Sequence, residues 1–275
     1  MQIMRMMKSV ALVAALIPGV ALASGGGAPL PKEDWGHHGI LGRFDPAQLQ
    51  RGAQVAAEVC LACHNIKYIK WEHLAKIGMS EDRIVQMAET AGHTKKDAML
   101  SAMDATAAKD SFGVVPPDLS LMTKARKGYE NYVYGILNGY LDDEQSSKIS
   151  ELAGAGELSG EKLEEAAKIL GMDPHHPEAV NAAVQRIAGG SNFNHYFAGH
   201  FLAMPKPLSA DQVTYADGTQ ATLPQMAKDV TTFLAWASEP TQEDRKKTGI
   251  WVMLYLVVLT PMLYAVKKRI WAKIH

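Results

Sequence analysis

The sequence predicts an all-α fold with one C-terminal transmembrane helix. Three observations predict it. Asp45-Pro46 followed by the alanine-rich run Ala47 to Val59 is a capped helix start. No convincing alternating strand run appears between residues 24 and 244. Residues 249–266 read GIWVMLYLVVLTPMLYAV and hold no charge. Composition agrees: 275 residues, 47% hydrophobic and 21% charged, fit one or two globular domains. They exclude a disordered, collagen-like or polytopic membrane protein. Two cysteines exclude a disulfide scaffold, and a formal net charge of −1 argues against nucleic acid as the main partner.

The two ends differ. Arg5 and Lys8 precede the apolar run Val10 to Leu22, and Ala21-Leu22-Ala23 is a small-x-small cleavage site before Ser24. Residues 1–23 therefore read as a cleaved export signal, the apolar run being too short for a comfortable span. Removal leaves the glycine-rich stretch Ser24 to Pro31 as a loose new N-terminus. At the other end, Trp251 and Tyr264 lie near the limits of the uncharged run, where amphipathic rings favour the membrane interface. Pro261 is tolerated inside such a helix. A buried core helix fits less well, because the run is apolar on every face and flanked by basic clusters. Those clusters, Arg245 to Lys247 and Lys267 to Arg269 with Lys273, stand on both sides, so they orient the span only weakly. The export signal orients it. Residues 24–244 form an exported domain, 245–266 the anchor with its juxtamembrane start, and 267–275 a basic cytoplasmic tail.

Charge is unevenly spread. Residues 24–244 hold 19 Lys and Arg against 29 Asp and Glu, a balance of about −10. Residues 130–178 alone carry eleven acids and three lysines. Such a face is either simply solvated or a docking surface for a basic protein.

Cys60-Leu61-Ala62-Cys63-His64 carries the chemistry. In a C-x-x-C-H motif each thiol adds to one vinyl group of a haem, and the adjacent histidine is held under the iron. A thioredoxin-like redox pair expects a βαβ setting, and a zinc site needs two further ligands at suitable spacing. In an exported chain with no other cysteine, covalent haem is the best reading. For a sixth ligand, Met87, Met99, Met103 and Met226 lie in helix-like stretches where core packing competes. Met204 lies in Leu202-Ala203-Met204-Pro205-Lys206-Pro207, a proline-stiffened loop. Spacing favours it modestly over His195 or His200.

The chain resembles the cytochrome c1 family of the bc1 (ubiquinol–cytochrome c oxidoreductase) complex in its bacterial form. The resemblance rests on Phe44-Asp45 through Val59-Cys60, on Pro116-Pro117-Asp118-Leu119-Ser120, and on Ala125-Arg126 with Tyr132 to Tyr140. Ala203-Met204-Pro205, the run from Tyr215 to Val230, and Trp236-Ala237 with Glu239-Pro240 follow in order. It implies a cytochrome c-like haem domain with one covalent haem c. Cys60 and Cys63 would be the thioether attachments, and His64 and Met204 the axial ligands. Arg126 would face a haem propionate, and Pro116, Pro117 and Tyr132 would wall the haem. The chain departs most between Gln145 and Gly190, where Ser159 to Gly171 and Pro174 to Gly190 read as two short helices.

The same resemblance implies a function. One electron would come from the Rieske iron–sulfur protein and pass to a basic cytochrome c, soluble or tethered, in a respiratory or photosynthetic chain. The anchor would pack on cytochrome b in lipid, placing the haem domain in the periplasm on the bacterial inner membrane. Electron transfer makes no bond, so no catalytic acid or base is expected, and the quinol oxidation of the whole complex would belong to its cytochrome b partner. Alternatives are another anchored mono-haem cytochrome of an oxidase or dehydrogenase, a haem peroxidase, and a thiol–disulfide oxidoreductase.

Overall fold

A computed structural model describes residues 27–272; the expected export signal, residues 1–23, and the last three residues of the basic tail lie outside them. Helix α1 (Pro46–Glu58) starts where its cap does: the Asp45 carboxylate accepts from the Ala47 N–H at 3.0 Å, with Pro46 in the first turn. Strand β1 (Ile66–Lys70), helix α2 (Glu81–Thr90), strand β2 (Ala98–Met99) and helices α3 (Ala105–Phe112), α4 (Met122–Ala125) and α5 (Tyr129–Asn138) follow. Helices α6 (Asp143–Gly154), α7 (Gly160–Leu170) and α8 (Pro177–Ala188) come next. Strands β3 (Asn192–Phe193) and β4 (Phe201–Leu202) lead to helices α9 (Leu223–Ser238) and α10 (Gln242–Trp271).

The fold is mostly helical, with short strands that the sequence does not announce. Among the described residues they make two antiparallel pairs, β1 with β2 (Ile66 opposite Met99) and β3 with β4 (Phe193 opposite Phe201). Three of the four strands are two residues long, too short for a period-2 pattern to show. In β1 the register shifts between Ile66 and Lys70, so the two buried residues, Ile66 and Ile69, do not alternate.

The main core forms where α1 lies on α9. Leu49, Ala53, Val55 and Ala56 face Met226, Ala227, Val230, Phe233 and Leu234, all buried. Gly52 makes this crossing possible. A Cβ there would stand 2.7 Å from the Cβ of Phe233 and closer still to the Asp229 carbonyl oxygen. Beside it, Arg51 reaches across the crossing: its Nε donates to the fully buried Asp229 carboxylate at 2.9 Å and its Nη1 to Asp217 at 2.7 Å. A buried carboxylate needs such a partner, because an unpaired charge there is strongly destabilising.

Gly52→Val should therefore force α1 off α9. Overpacking of this kind costs about 1–3 kcal/mol, and more where the clash is with backbone. The expected result is a clearly lowered Tm in a thermal melt of the detergent-purified chain; an unchanged Tm would mean that the crossing is looser than described.

The segment that departs most from the family pattern builds its own small core. Leu141, Ile149, Leu152, Leu158, Leu170, Val180 and Val184 pack together between α6, α7 and α8. The sequence predicts two helices here, α7 and α8; the structure adds α6. Its signal is present in the sequence, since Asp142 and Gln145 form a reciprocal capping box. Helix α10 holds the uncharged run within one continuous helix and buries none of its residues in the domain. Among the described residues it is the one helix long and apolar enough to cross a membrane.

Candidate haem site

The end of α1 delivers the motif. The Val59 N–H closes the last turn on the Val55 carbonyl, and the chain then tightens into a 3₁₀ turn over Cys60–Ala62. The N–H groups of Cys63 and His64 both donate to the Cys60 carbonyl, at 3.1 and 2.8 Å. This turn aims Cys60, Cys63 and His64 into one cavity of about 410 Å³.

His64 is oriented by the double-proline loop. Its Nδ1–H donates to the Pro117 carbonyl at 2.8 Å, which fixes the tautomer and leaves Nε2 as the free lone pair. Burial lowers the pKa of His64, so the ring stays neutral, the form that can ligate a metal. The loop is itself pinned by side chains to which the sequence alone assigns no role. The Asp118 carboxylate accepts from the Lys67 and Ser120 N–H groups, and Ser120 Oγ accepts from the Tyr68 N–H. Asn65 accepts from Leu119 N–H through its carbonyl, and from Ser101 N–H through its side chain.

Met204 enters the same cavity from the segment after β4. Its carbonyl accepts from the Tyr140 hydroxyl at 3.0 Å. Burial pushes the Tyr140 phenol up, so it remains a donor. The fully buried Asn194 ties the preceding hairpin to the end of α5, its amide donating to the Ile136 carbonyl at 2.8 Å. The competing sixth ligands stand elsewhere. His200 stacks on Phe193 at 5.3 Å between centroids, and His195 meets the edge of the same ring. Neither lines the cavity. Met99 and Met226 are fully buried in the main core, and Met87 packs against it.

The cavity brings together all eight residues singled out from the sequence: Cys60, Cys63, His64, Pro116, Pro117, Arg126, Tyr132 and Met204. Around them the wall is aliphatic and aromatic, with Leu119, Val133, Ile136, Leu137, Val230 and Leu234 from the core side, Phe112 from the end of α3, Phe197 from the β3–β4 connection and Leu202 from β4. These wall residues had no individual signal in the sequence, because any buried helix face carries the same types. Arg126 has no carboxylate partner among the described residues; its Nη1 reaches only the Ala125 carbonyl, at 3.4 Å.

Comparison with known proteins agrees with this geometry. The sequence pattern of the Cytochrome C1 family matches residues 35–274. The chain belongs to the cytochrome c1 family. It is 40% identical to the cytochrome c1 of Rhodospirillum rubrum, across 95% of this chain and 96% of that one. It is 36% identical to the cytochrome b/c1 of Bradyrhizobium diazoefficiens, covering 93% of this chain and 37% of that longer protein. With the mitochondrial cytochrome c1 haem protein of Saccharomyces cerevisiae it shares 34% identity over 90% of this chain and 74% of the other.

As a member of the cytochrome c1 family the chain is a c-type haem protein of the respiratory chain, with one haem c. The cavity suits that group. It offers two thiols and an oriented imidazole on one rim, a thioether on a held loop, a guanidinium free of acids, and otherwise apolar walls. A thiol–disulfide role suits it poorly. Reactive thiols sit at helix N-termini, where the thiolate is favoured, whereas Cys60 follows the C-terminal end of α1. Burial pushes its thiol up to about 12, the opposite of what such an exchange needs.

Proposed function

We propose that this chain is the electron-transfer subunit of a bc1 complex, taking one electron from the Rieske iron–sulfur protein and passing it to a cytochrome c. The observation that carries the reading is the convergence of Cys60, Cys63, His64, Met204 and Arg126 on one apolar cavity. Cys60 and Cys63 would hold the haem covalently, His64 and Met204 would be its axial ligands, and Arg126 would pair with a propionate. Pro116, Pro117 and Tyr132 would wall the haem. Bound haem supplies the one-electron couple; the chain supplies ligand identity, burial and proximity to donor and acceptor. A neutral thioether ligand favours the reduced iron and so a high potential, as a late acceptor needs.

The exposed apolar surface of α10 supports an anchor packed on cytochrome b and in lipid. Residues 24–244 would then be periplasmic, 245–266 the anchor with its juxtamembrane start, and 267–275 cytoplasmic, on the bacterial inner membrane.

The acidic segment gains a specific place. Lys206, two residues after Met204, contacts Asp143 at 3.5 Å and the Leu141 carbonyl at 3.4 Å. The acids at the start of α6 thus stand beside the loop that carries the proposed ligand. Opposite charges steer encounter, and salt screens them beyond roughly 8–10 Å. Asp142 caps α6 and is left in place. In membranes holding the chain with its partners, quinol should reduce the haem and a basic cytochrome c should reoxidise it, more slowly as ionic strength rises. Asp143→Lys with Glu144→Lys should cut the second-order rate at low salt by about tenfold and flatten the salt dependence, with the haem spectrum unchanged. Equal rates and slopes would move docking away from this cluster. A haem that quinol cannot reduce would overturn the functional reading itself.

A further inference from the structure

We propose that His37, His38 and Glu130 form a binding site for a divalent transition ion of the zinc class, at the junction between the haem domain and the membrane helix. The three side chains converge from a tight turn and from the first turn of α5, 93 residues apart in sequence for the His37–Glu130 pair. His37 Nε2 lies 3.3 Å from Glu130 Oε1, and His38 Nε2 lies 3.5 Å from Glu130 Oε2. All three ligand atoms fall within 4.8 Å of one another.

Each histidine nitrogen lies 3.3–3.5 Å from an oxygen of the same carboxylate, within reach of one shared zinc ion with bonds of about 2.0–2.2 Å. A single histidine would satisfy a buried carboxylate. Here two histidines approach different oxygens of the same one, and two imidazoles with a carboxylate are a borderline donor set that suits zinc.

The site is built rather than incidental. His37 is 2% exposed and Glu130 7%. The His37 ring stacks on Phe44 at 4.4 Å between centroids, which locks its rotamer. The turn is closed by the His38 N–H on the Trp35 carbonyl and the Arg43 N–H on the Gly36 carbonyl. The His37 carbonyl accepts from Gln242 Nε2 at 3.1 Å and Lys246 Nζ at 2.6 Å, both on α10. Two ligands are thus pre-organised, and the half-exposed His38 swings onto the ion, leaving a fourth position for water. A bound ion would clamp the turn, α5 and the base of α10 together. The site shares no residue with the haem cavity, so it stands apart from the haem assignment.

The test uses the full haem-loaded chain in detergent, purified without a polyhistidine tag and stripped with a chelator. Zinc is titrated against a fluorescent competitor, and bound metal is counted by mass spectrometry. One zinc per chain at micromolar affinity or tighter is expected, with a raised Tm. His38→Ala should weaken binding by at least about tenfold, with the haem spectrum intact. Glu130→Gln should do the same; should that buried change disturb folding, His38→Ala decides alone. His175→Ala with His176→Ala, at an exposed pair elsewhere, should leave binding unchanged. Failure of the native chain to bind zinc in this range, equal affinity in His38→Ala, or loss that follows His175 and His176 would each overturn the proposal.

Discussion

Replacing both Cys60 and Cys63 with serine should abolish covalent haem. The haem-staining band on a denaturing gel should disappear, and the intact mass should fall by one haem. Each single replacement should keep one thioether at lower yield, because each thiol serves one vinyl group. The geometry explains why nothing can compensate. The chain has two cysteines, and the 3₁₀ turn after α1 aims both at the same cavity. No other thiol exists to take over. Serine is nearly isosteric, so the turn and the His64–Pro117 bond should persist. The mutant cavity could still retain haem without covalent bonds in the native state, which the denaturing gel separates from attachment. Normal two-thioether haem in either single mutant would sink the assignment of these residues.

What the sequence made legible follows the range over which each interaction acts. The start of α1 was legible because Asp45 caps Ala47 two residues away. The C-x-x-C-H motif was legible because its chemistry lies within five consecutive residues. The uncharged run in α10 was legible because lipid demands a long local pattern. Illegible features depend on distant partners. Asp118 and Asn65 hold the loop that orients His64, and both act across more than 30 residues on backbone groups that any sequence possesses. Tyr140 and Asn194 position the Met204 segment in the same way, through the carbonyls of Met204 and Ile136. Spacing alone left Met204 only modestly ahead of His195 and His200. In the structure Met204 lines the cavity, whereas both histidine rings lie against Phe193 in the other core. The two-residue strands escaped for a different reason: each is too short to show an alternating pattern.

Met204→Leu should leave haem covalently attached but open its sixth position. Carbon monoxide should then bind the reduced protein, and the midpoint potential should fall by a few tenths of a volt, within the roughly 0.8 V that axial ligands command. Leucine and methionine are close in volume, so the swap should cost less than about 1.5 kcal/mol and keep the loop in place. The change therefore isolates the sulfur. Tyr140→Phe provides the graded companion. It removes the hydroxyl that holds the Met204 carbonyl at 3.0 Å, a bond worth about 1 kcal/mol, while the thioether itself remains. Its potential should fall by much less, and carbon monoxide should bind only to a minor fraction. Met204→His restores a sixth ligand of the wrong kind: six-coordinate, closed to carbon monoxide, and lower in potential, because imidazole favours the oxidised iron more than a thioether does. The three variants order the outcomes by ligand chemistry rather than by stability, which a merely structural Met204 could not reproduce. Should Met204→Leu keep a six-coordinate, high-potential spectrum, the ligand lies elsewhere. For one of the other candidates to serve, His195 or His200 would have to leave Phe193, or Met172 the second core.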